Sequence, residues 1–313
     1  MKLEEIAPRV FACLQEVPAI GYSNSGLIDR GGGLVVDTFW DLPHTREMID
    51  LYSKVWSAPA RRVVNTHHNG DHCWGNQLFP QAELIGHRRC AESLMKENPA
   101  TLQALKNADP SSQPAIAQFA RSLEPWDFTG IELTPPTVVF DDRLVIDLDG
   151  SPVELIYVGP AHTEGDVIVH LPEDRVVFAG DIIFRLCTPI GWEGTFARWI
   201  EALDYIISLN PDVVVPGHGP LCGVDGAREM KGYLQHVLGE SKRLLDAGLP
   251  AFEAAKQIDL GPYEGWHDPE RLLLNVERAY RELRGDPPLS VVDGFALITG
   301  AVQLRRERWP ERA

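Results

Sequence analysis

Between residues 9 and 220 the chain alternates short runs rich in Val, Ile, Leu and Phe with stretches whose apolar positions recur every three or four residues. Runs of four to eight such residues bounded by Gly, Pro or Asp read as strands, and the longer period reads as helix. Strands are therefore expected at residues 9–16, 25–29 and 33–37, with Gly31-Gly32-Gly33 as a turn, so the chain opens on a meander. Helical spacing over 42–56 leads to a strand at 62–66, which runs directly into a cluster of His, Asn and Asp. Further strands are expected at 137–140, 143–148, 153–158, 166–171 and 175–179, then a helix at 195–209 and a last strand at 212–215.

Two stretches depart from this alternation. Residues 98–136 are cut by Asn98-Pro99, Asp109-Pro110, Gln113-Pro114, Glu124-Pro125 and Pro135-Pro136, so they read as short helices or loops making an excursion over the surface, a candidate lid. After Gly226 the pattern is helical throughout: Met230, Tyr233, Leu234, Val237, Leu238, Leu244 and Leu245 give one apolar face that stops near Gly248 and Pro250. Helices are also expected at 251–257, 269–284 and 290–306. The division is an α/β unit at 1–222 and a helical extension at 223–313. The stripe from Met230 to Leu245 must be buried, and the expectation is that the extension walls a pocket and contributes to a homodimer interface.

Composition narrows the partners. With 44% hydrophobic and 24% charged residues in 313, the chain can bury one large core. Lys and Arg number 29 against 45 for Asp and Glu, a net charge of −16 that repels phosphate backbones, so nucleic acid is not expected as a partner. Apolar runs such as Leu34-Val35-Val36 fall far short of the roughly 18 residues a membrane span needs, so no membrane association is expected. The N-terminus carries Glu4 and Glu5 and lacks the apolar stretch of a secretory signal. Cys13, Cys73, Cys90, Cys187 and Cys222 are odd in number and scattered, which suits reduced thiols and a cytoplasmic location.

Four segments each place metal-ligand residue types after an expected strand: Thr66-His67-His68-Asn69-Gly70-Asp71-His72, Gly159-Pro160-Ala161-His162, Phe178-Ala179-Gly180-Asp181 and Pro216-Gly217-His218-Gly219. In extended chain residues 67 and 69 point the same way, and a turn at Gly70 can bring Asp71 and His72 round to the same cavity. Imidazole mixed with carboxylate suits zinc or non-haem iron rather than the all-oxygen shells of calcium and magnesium.

These segments, in this order, resemble the metallo-β-lactamase-fold hydrolase superfamily, whose hallmark is H-x-H-x-D-H followed by a lone His, a bridging Asp and a final His. The resemblance covers residues 9–220 and implies an αββα sandwich with metals at one edge. It also implies one metal position at His67, residue 69 and His162, a second at Asp71, His72 and His218, and Asp181 between them. Asn69 breaks the pattern, giving H-x-N-x-D-H. A neutral amide is a poorer zinc donor than imidazole, so one tightly bound zinc at the second position is expected, with the first weak. The expected function is zinc-dependent hydrolysis of a small organic substrate, with ester, lactone or thioester ahead of sulfate ester, amide or aryl halide. Zinc lowers the pKa of a bound water to about 7. Asp71 or Asp181 would orient that water and accept its proton, and Asn69 would donate to substrate or oxyanion. Persulfide dioxygenases of the same superfamily place iron on these motif positions, so an iron-dependent oxidoreductase built on His67, His162 and Asp181 is the alternative.

Other polar residues have plainer readings. His44, His170, His236 and His267 lack ligand company, and His87 reads as a helix entry. His68 is balanced between supporting the ligands and walling the pocket. Asp37, which ends a strand at a position the family often keeps near its metal loop, reads as support for that loop. Asp29 and Asp166 read as turn residues. Trp74 and Trp192 wall the cavity or pack in the core, Cys73 and Cys187 are small buried hydrophobes, and Arg305-Arg306-Glu307-Arg308 is a solvated end.

Overall fold

The computed structural model describes residues 1–15, 17, 19–109, 114–191, 193–289 and 293–312. The expectations placed on Glu16, Trp192 and Ser290, and on 110–113 within the excursion, lie outside the described residues.

The strands are β1 (Lys2–Ala7), β2 (Val10–Leu14), β3 (Ser25–Ile28), β4 (Leu34–Val36), β5 (Arg62–Asn65), β6 (Glu83–His87), β7 (Val138–Phe140), β8 (Arg143–Leu148), β9 (Ser151–Tyr157), β10 (Val167–Leu171), β11 (Val176–Phe184) and β12 (Val213–His218). They form a seven-stranded sheet in the order β1-β2-β3-β4-β5-β6-β7 and a five-stranded sheet in the order β12-β11-β10-β9-β8. Antiparallel pairs run from β1 to β4, as the opening meander requires, and β4 to β7 are parallel. In the second sheet only β11 and β12 are parallel.

Side-chain alternation divides each sheet between two cores. Val10, Ala12, Leu34 and Val36 face the second sheet, where they meet Val167, Val169, Val176 and Phe178. Their neighbours Phe11, Cys13 and Val35 face outward onto Met48 and Tyr52 of α1 (Leu42–Ser53). On the far side Val177, Ala179 and Ile183 face α6 (Phe196–Leu209) and α7 (Val224–Asp246). The layers are therefore helix, sheet, sheet, helix: the expected αββα sandwich with a helical C-terminal region.

Between β5 and β7 lie α2 (Gly70–Cys73), α3 (Arg88–Leu94), α4 (Pro99–Lys106) and α5 (Pro114–Ser122). After α7 come α8 (Ala251–Gln257), α9 (Leu272–Arg284) and α10 (Gly294–Arg308). The stripe on α7 is covered within the chain: Met230, Tyr233, Leu234 and Val237 are fully buried in one cluster with Trp199, Leu272, Val276 and Leu304. That burial removes the reason for expecting a second copy on this face. α10 packs against both α9 and α5, so the extension meets the excursion between β6 and β7. No helix among the described residues is long and apolar enough to cross a membrane.

Four elements differ from the sequence reading. β1 and β6 were not expected as strands, β11 runs on to Phe184 instead of stopping at 179 and β12 runs on to His218 instead of stopping at 215, so Asp181 and His218 lie inside strands and not after them. A bulge makes this possible. Gly180 takes φ +50°, and the register with β12 shifts on either side of it.

Candidate metal centre

β4, β5 and β12 end at the same edge of the sandwich, where loops leave the C-terminal ends of parallel strands. His67 follows β5, and Asp71 and His72 sit on the single turn of α2. His162 is in the loop between β9 and β10, Asp181 is in β11, and His218 closes β12. All six side chains that the motif singles out converge here.

His72 Nε2 is 3.1 Å from Asp181 Oδ1, 4.0 Å from Asp71 Oδ2 and 3.5 Å from His218 Nε2. His218 Nε2 is 3.3 Å from Asp71 Oδ2 and 3.4 Å from Asp181 Oδ2. Asp181 Oδ2 is also 3.4 Å from His162 Nε2 and 3.8 Å from His67 Nε2. Two groups have the spacing of a metal's ligands: Asp71, His72 and His218, and His67, His72 and Asp181. His72 thus reaches both positions, which the motif had assigned to one. Asn69 Oδ1 lies 2.8 Å from His162 Nε2, tying the amide to that ring whichever way it is turned.

Each imidazole is oriented from behind. Asp37 Oδ2 accepts from His72 Nδ1 at 2.9 Å, while its carboxylate also accepts from Thr66 N and Thr66 Oγ1, both at 2.7 Å. Because the Thr66 hydroxyl gives its proton to Asp37, it accepts from His67 Nδ1 at 3.0 Å. His162 Nδ1 donates to Ile190 O at 2.8 Å and His218 Nδ1 to Tyr22 O at 3.1 Å. With every Nδ1 committed, four Nε2 atoms point at the two carboxylates, which is how metal-binding histidines are held. The His218 loop is pinned in turn by Asn24, whose Nδ2 donates to Pro216 O at 2.9 Å and Gly219 O at 2.8 Å. Asp166 locks the His162 loop by accepting from Ala161 N, Thr163 N and Thr163 Oγ1, the turn role expected of it.

Glycine is required at two contacts. A Cβ on Gly217 would strike Asp181 Oδ1, and one on Gly180 would strike Thr66 Oγ1.

The electrostatics ask for a cation. Burial pushes both Asp71 and Asp181 up, yet His72 and His218 beside them hold both carboxyls below their ordinary range. Reciprocally, burial would lower the His218 ring, but Asp181 and Asp71 lift it to about 9. His67 and His162 are held down by burial, which outweighs the lift from Asp181. Buried His67 Nε2 has no hydrogen-bond partner, while Asp181 Oδ1 has the His72 ring 3.1 Å away. An unprotonated imidazole lone pair beside a buried carboxylate fits a metal ion bound through nitrogen and oxygen.

The cluster forms the floor of a cavity of about 370 Å³. Trp40 and Trp74, then Leu102 and Phe119 of the excursion, and Leu274 and Val302 of the extension line its sides. The extension is a wall, as expected of it, and the excursion, read as a candidate lid, also lines the side of the cavity. Trp74 packs with Trp40 and Phe128 and also borders the cavity.

Several side chains behave as their plain readings said. His87 caps α3 by accepting from Arg89 N, and His44 and His170 pair with Asp41 and Glu154. His68 turns away to Glu193 at 3.5 Å. Burial raises the thiols of Cys73 and Cys187. The run at 305–308 is a correction: Arg305 borders the cavity and pairs with Glu270 at 2.8 Å, and Arg308 pairs with Glu264 at 3.3 Å and stacks on Trp309. That side of α10 packs inward, so Arg305 and Arg308 meet acids of the preceding turns, while Arg306 stays exposed. Glu97 and the pair Asp268–Arg271, 2.8 Å apart, also border the cavity without any signal in the sequence beyond isolated charges.

The chain is an αββα sandwich that carries histidines and aspartates at one sheet edge, a donor set that could hold a metal ion. The model of the metallo-beta-lactamase superfamily matches residues 19–218, and the chain belongs to that superfamily. It is 22% identical over 264 residues to the linear primary-alkylsulfatase of Pseudomonas sp. (strain ATCC 19151), covering 76% of this chain and 50% of that protein. It is 29% identical over 176 residues to the hydroxyacylglutathione hydrolase of Rhizobium meliloti (strain 1021), covering 56% and 54% respectively. The chain thus spans about half the length of these curated relatives. Among solved structures, a metallo-beta-lactamase from Pontibacter korlensis matches with TM-score 0.56 at 18% identity, covering 75% of this chain and 98% of that one. The stereoselective inverting sec-alkylsulfatase from Pseudomonas sp. matches with TM-score 0.64 at 18% identity, covering 90% and 50%. These likenesses establish the fold.

Proposed function

We propose that the protein is a zinc-dependent hydrolase of small, apolar, uncharged esters, lactones or thioesters. The observation that carries this reading is the convergence of four imidazole Nε2 atoms and two carboxylates in a cluster of which Asp71, His162, Asp181 and His218 line a largely apolar cavity. His67, His72, His162, His218, Asp71 and Asp181 would hold the metal. When bound, zinc supplies Lewis acidity and makes an attacking water acidic enough to act at neutral pH. Asp71, on the cavity surface and ionised, orients that water and takes its proton. Asn69, also on the cavity surface, donates its amide to the oxygen on which negative charge develops. The ion pairs Asp268–Arg271 and Glu270–Arg305 cancel on the wall, so no surplus positive charge awaits an anionic substrate.

Zinc-loaded protein assayed without oxygen against 4-nitrophenyl esters, lactones, thioesters and alkyl sulfates should turn over one of the first three classes. Asp71→Ala and His218→Ala should lose metal and activity together. The iron reading has its own support, because His67, His162 and Asp181 do meet, with Asp181 Oδ2 at 3.8 and 3.4 Å from the two rings. Oxygen-dependent consumption of a persulfide, with no hydrolysis of any panel member, would replace the zinc reading by this one.

A further inference from the structure

Glu97 stands in the junction between α3 and α4, outside every motif, yet its side chain borders the same cavity as Asn69, Asp71 and His162. Trp74 Nε1 donates to its Oε2 at 2.6 Å, and Asn69 borders the same cavity. Trp74, Leu102 and Phe119 give this part of the wall its apolar character. A carboxyl held by an indole N–H at the mouth of an apolar pocket has a fixed direction and little water to share its proton with.

The carboxyls of the site divide into two kinds. Asp71 and Asp181 are held ionised by the imidazoles beside them. Burial pushes Glu97 up to about 8 against the donation of Trp74, and the charges of Asp71 on α2 and Glu193 in the loop before α6 push the same way. Burial thus favours the protonated form of Glu97, and with Oε2 taken by the indole, Oε1 is the oxygen left to carry the proton. Carboxyls in one site whose environments separate them in this way take the roles of acid and base.

We propose that Glu97 is the general acid of the reaction, protonating the leaving group; this rests on the hydrolase reading given above. In ester cleavage the water oxygen bonds to the acyl carbon and the bond from that carbon to the alkoxy oxygen breaks. The electron pair stays on the departing oxygen, which takes the Glu97 proton and leaves as alcohol. The two protons of the water restore Glu97 and complete the acid product, so no further reactant is needed.

The test compares two esters of one carboxylic acid, a 4-nitrophenyl ester whose leaving group departs unprotonated and a benzyl ester whose leaving group needs the proton. Zinc-loaded Glu97→Gln should lose about 100-fold in kcat on the benzyl ester, the scale of general acid catalysis. It should lose under about 3-fold on the 4-nitrophenyl ester while keeping its zinc and its melting temperature. The wild-type rate on the benzyl ester should fall above pH 8, a limb that Glu97→Gln abolishes and Glu97→Asp retains. Trp74→Phe removes the donor that favours the carboxylate, so it should move that limb to higher pH. Equal losses on both esters with zinc retained, or an alkaline limb that persists in Glu97→Gln, would overturn the proposal while leaving the hydrolase reading intact. Absence of hydrolysis of either ester by the wild type would overturn both.

Discussion

At the residue scale, Asp37 shows how much of a metal site lies behind the ligands. Its carboxylate is buried, accepts three hydrogen bonds and fixes which nitrogen of His72 is free. Asp37→Ala should weaken zinc binding about 10–100-fold, measured by competition with a chromogenic chelator. Unchanged affinity would show that the ring needs no such support. Asn69 decides the number of metals: near one zinc per chain is expected after dialysis, rising toward two in Asn69→His, by elemental analysis. Two zincs retained by the unaltered protein would remove the argument from the amide. In metal-free protein the His218 proton takes the metal's place. Its pKa is raised from 6.5 to about 9, so the stability it contributes is complete below 6.5 and lost as pH rises through 9. The melting temperature of chelator-stripped protein should fall over that window, and the part due to His218 should vanish in His218→Asn. The clustering of these histidines and aspartates was legible because such residues grouped near strand ends are rare and specific. Glu97, Tyr22 and the Ile190 carbonyl were not, because a lone acid and a backbone oxygen carry no pattern until the fold brings them together.

Among the elements, the sequence was readable where apolar alternation was strong and silent where it was weak. β6 has only Leu84 and Ile85 as its apolar pair and passes straight into α3 with no turn residue between them. β1 is an edge strand with Lys2, Glu4 and Glu5 on it, so its pairing with β2 owes more to the neighbouring backbone than to burial. β11 hides its length because Gly180-Asp181 interrupts the apolar run, while the backbone continues through a bulge. That interruption has a purpose: the bulge turns a polar side chain into the site from within a buried strand. The closeness of β12 to β11 leaves no room beside that side chain, so Gly217→Ala should displace the Asp181 carboxylate. Zinc content should drop while the strand pairing survives, seen as metal loss with unchanged far-ultraviolet circular dichroism. Full zinc retention would show that the two strands can separate to admit a methyl group.

On the scale of the whole molecule, the helices after residue 223 are part of the main core. Trp199 of α6 and Ile183 of β11 share a cluster with Tyr233, Val276 and Leu304. A chain ended after Gly226 should therefore aggregate or bind hydrophobic dye strongly; a soluble, fully active truncation would show that the extension is dispensable. Charge acts at the same scale. The net −16 disfavours the approach of anions, and salt screens that field within about 10 Å at 0.1 M. Added salt should lower KM for an ester carrying a remote carboxylate and leave KM for a neutral ester unchanged. The opposite ranking would place a local positive patch at the entrance.

Over the cavity, α5 and α10 touch, although they are separated by most of the second half of the chain. An occupant wedged beneath them contacts Phe119 on one side and Val302 on the other, so it cross-braces two segments that already touch. Occupancy is then written into the exchange of amides near the end of the chain. Hydrogen exchange along α10 should slow when an inert substrate analogue binds, far in sequence from any metal ligand, and this gives a reporter for screening compounds before any turnover has been found.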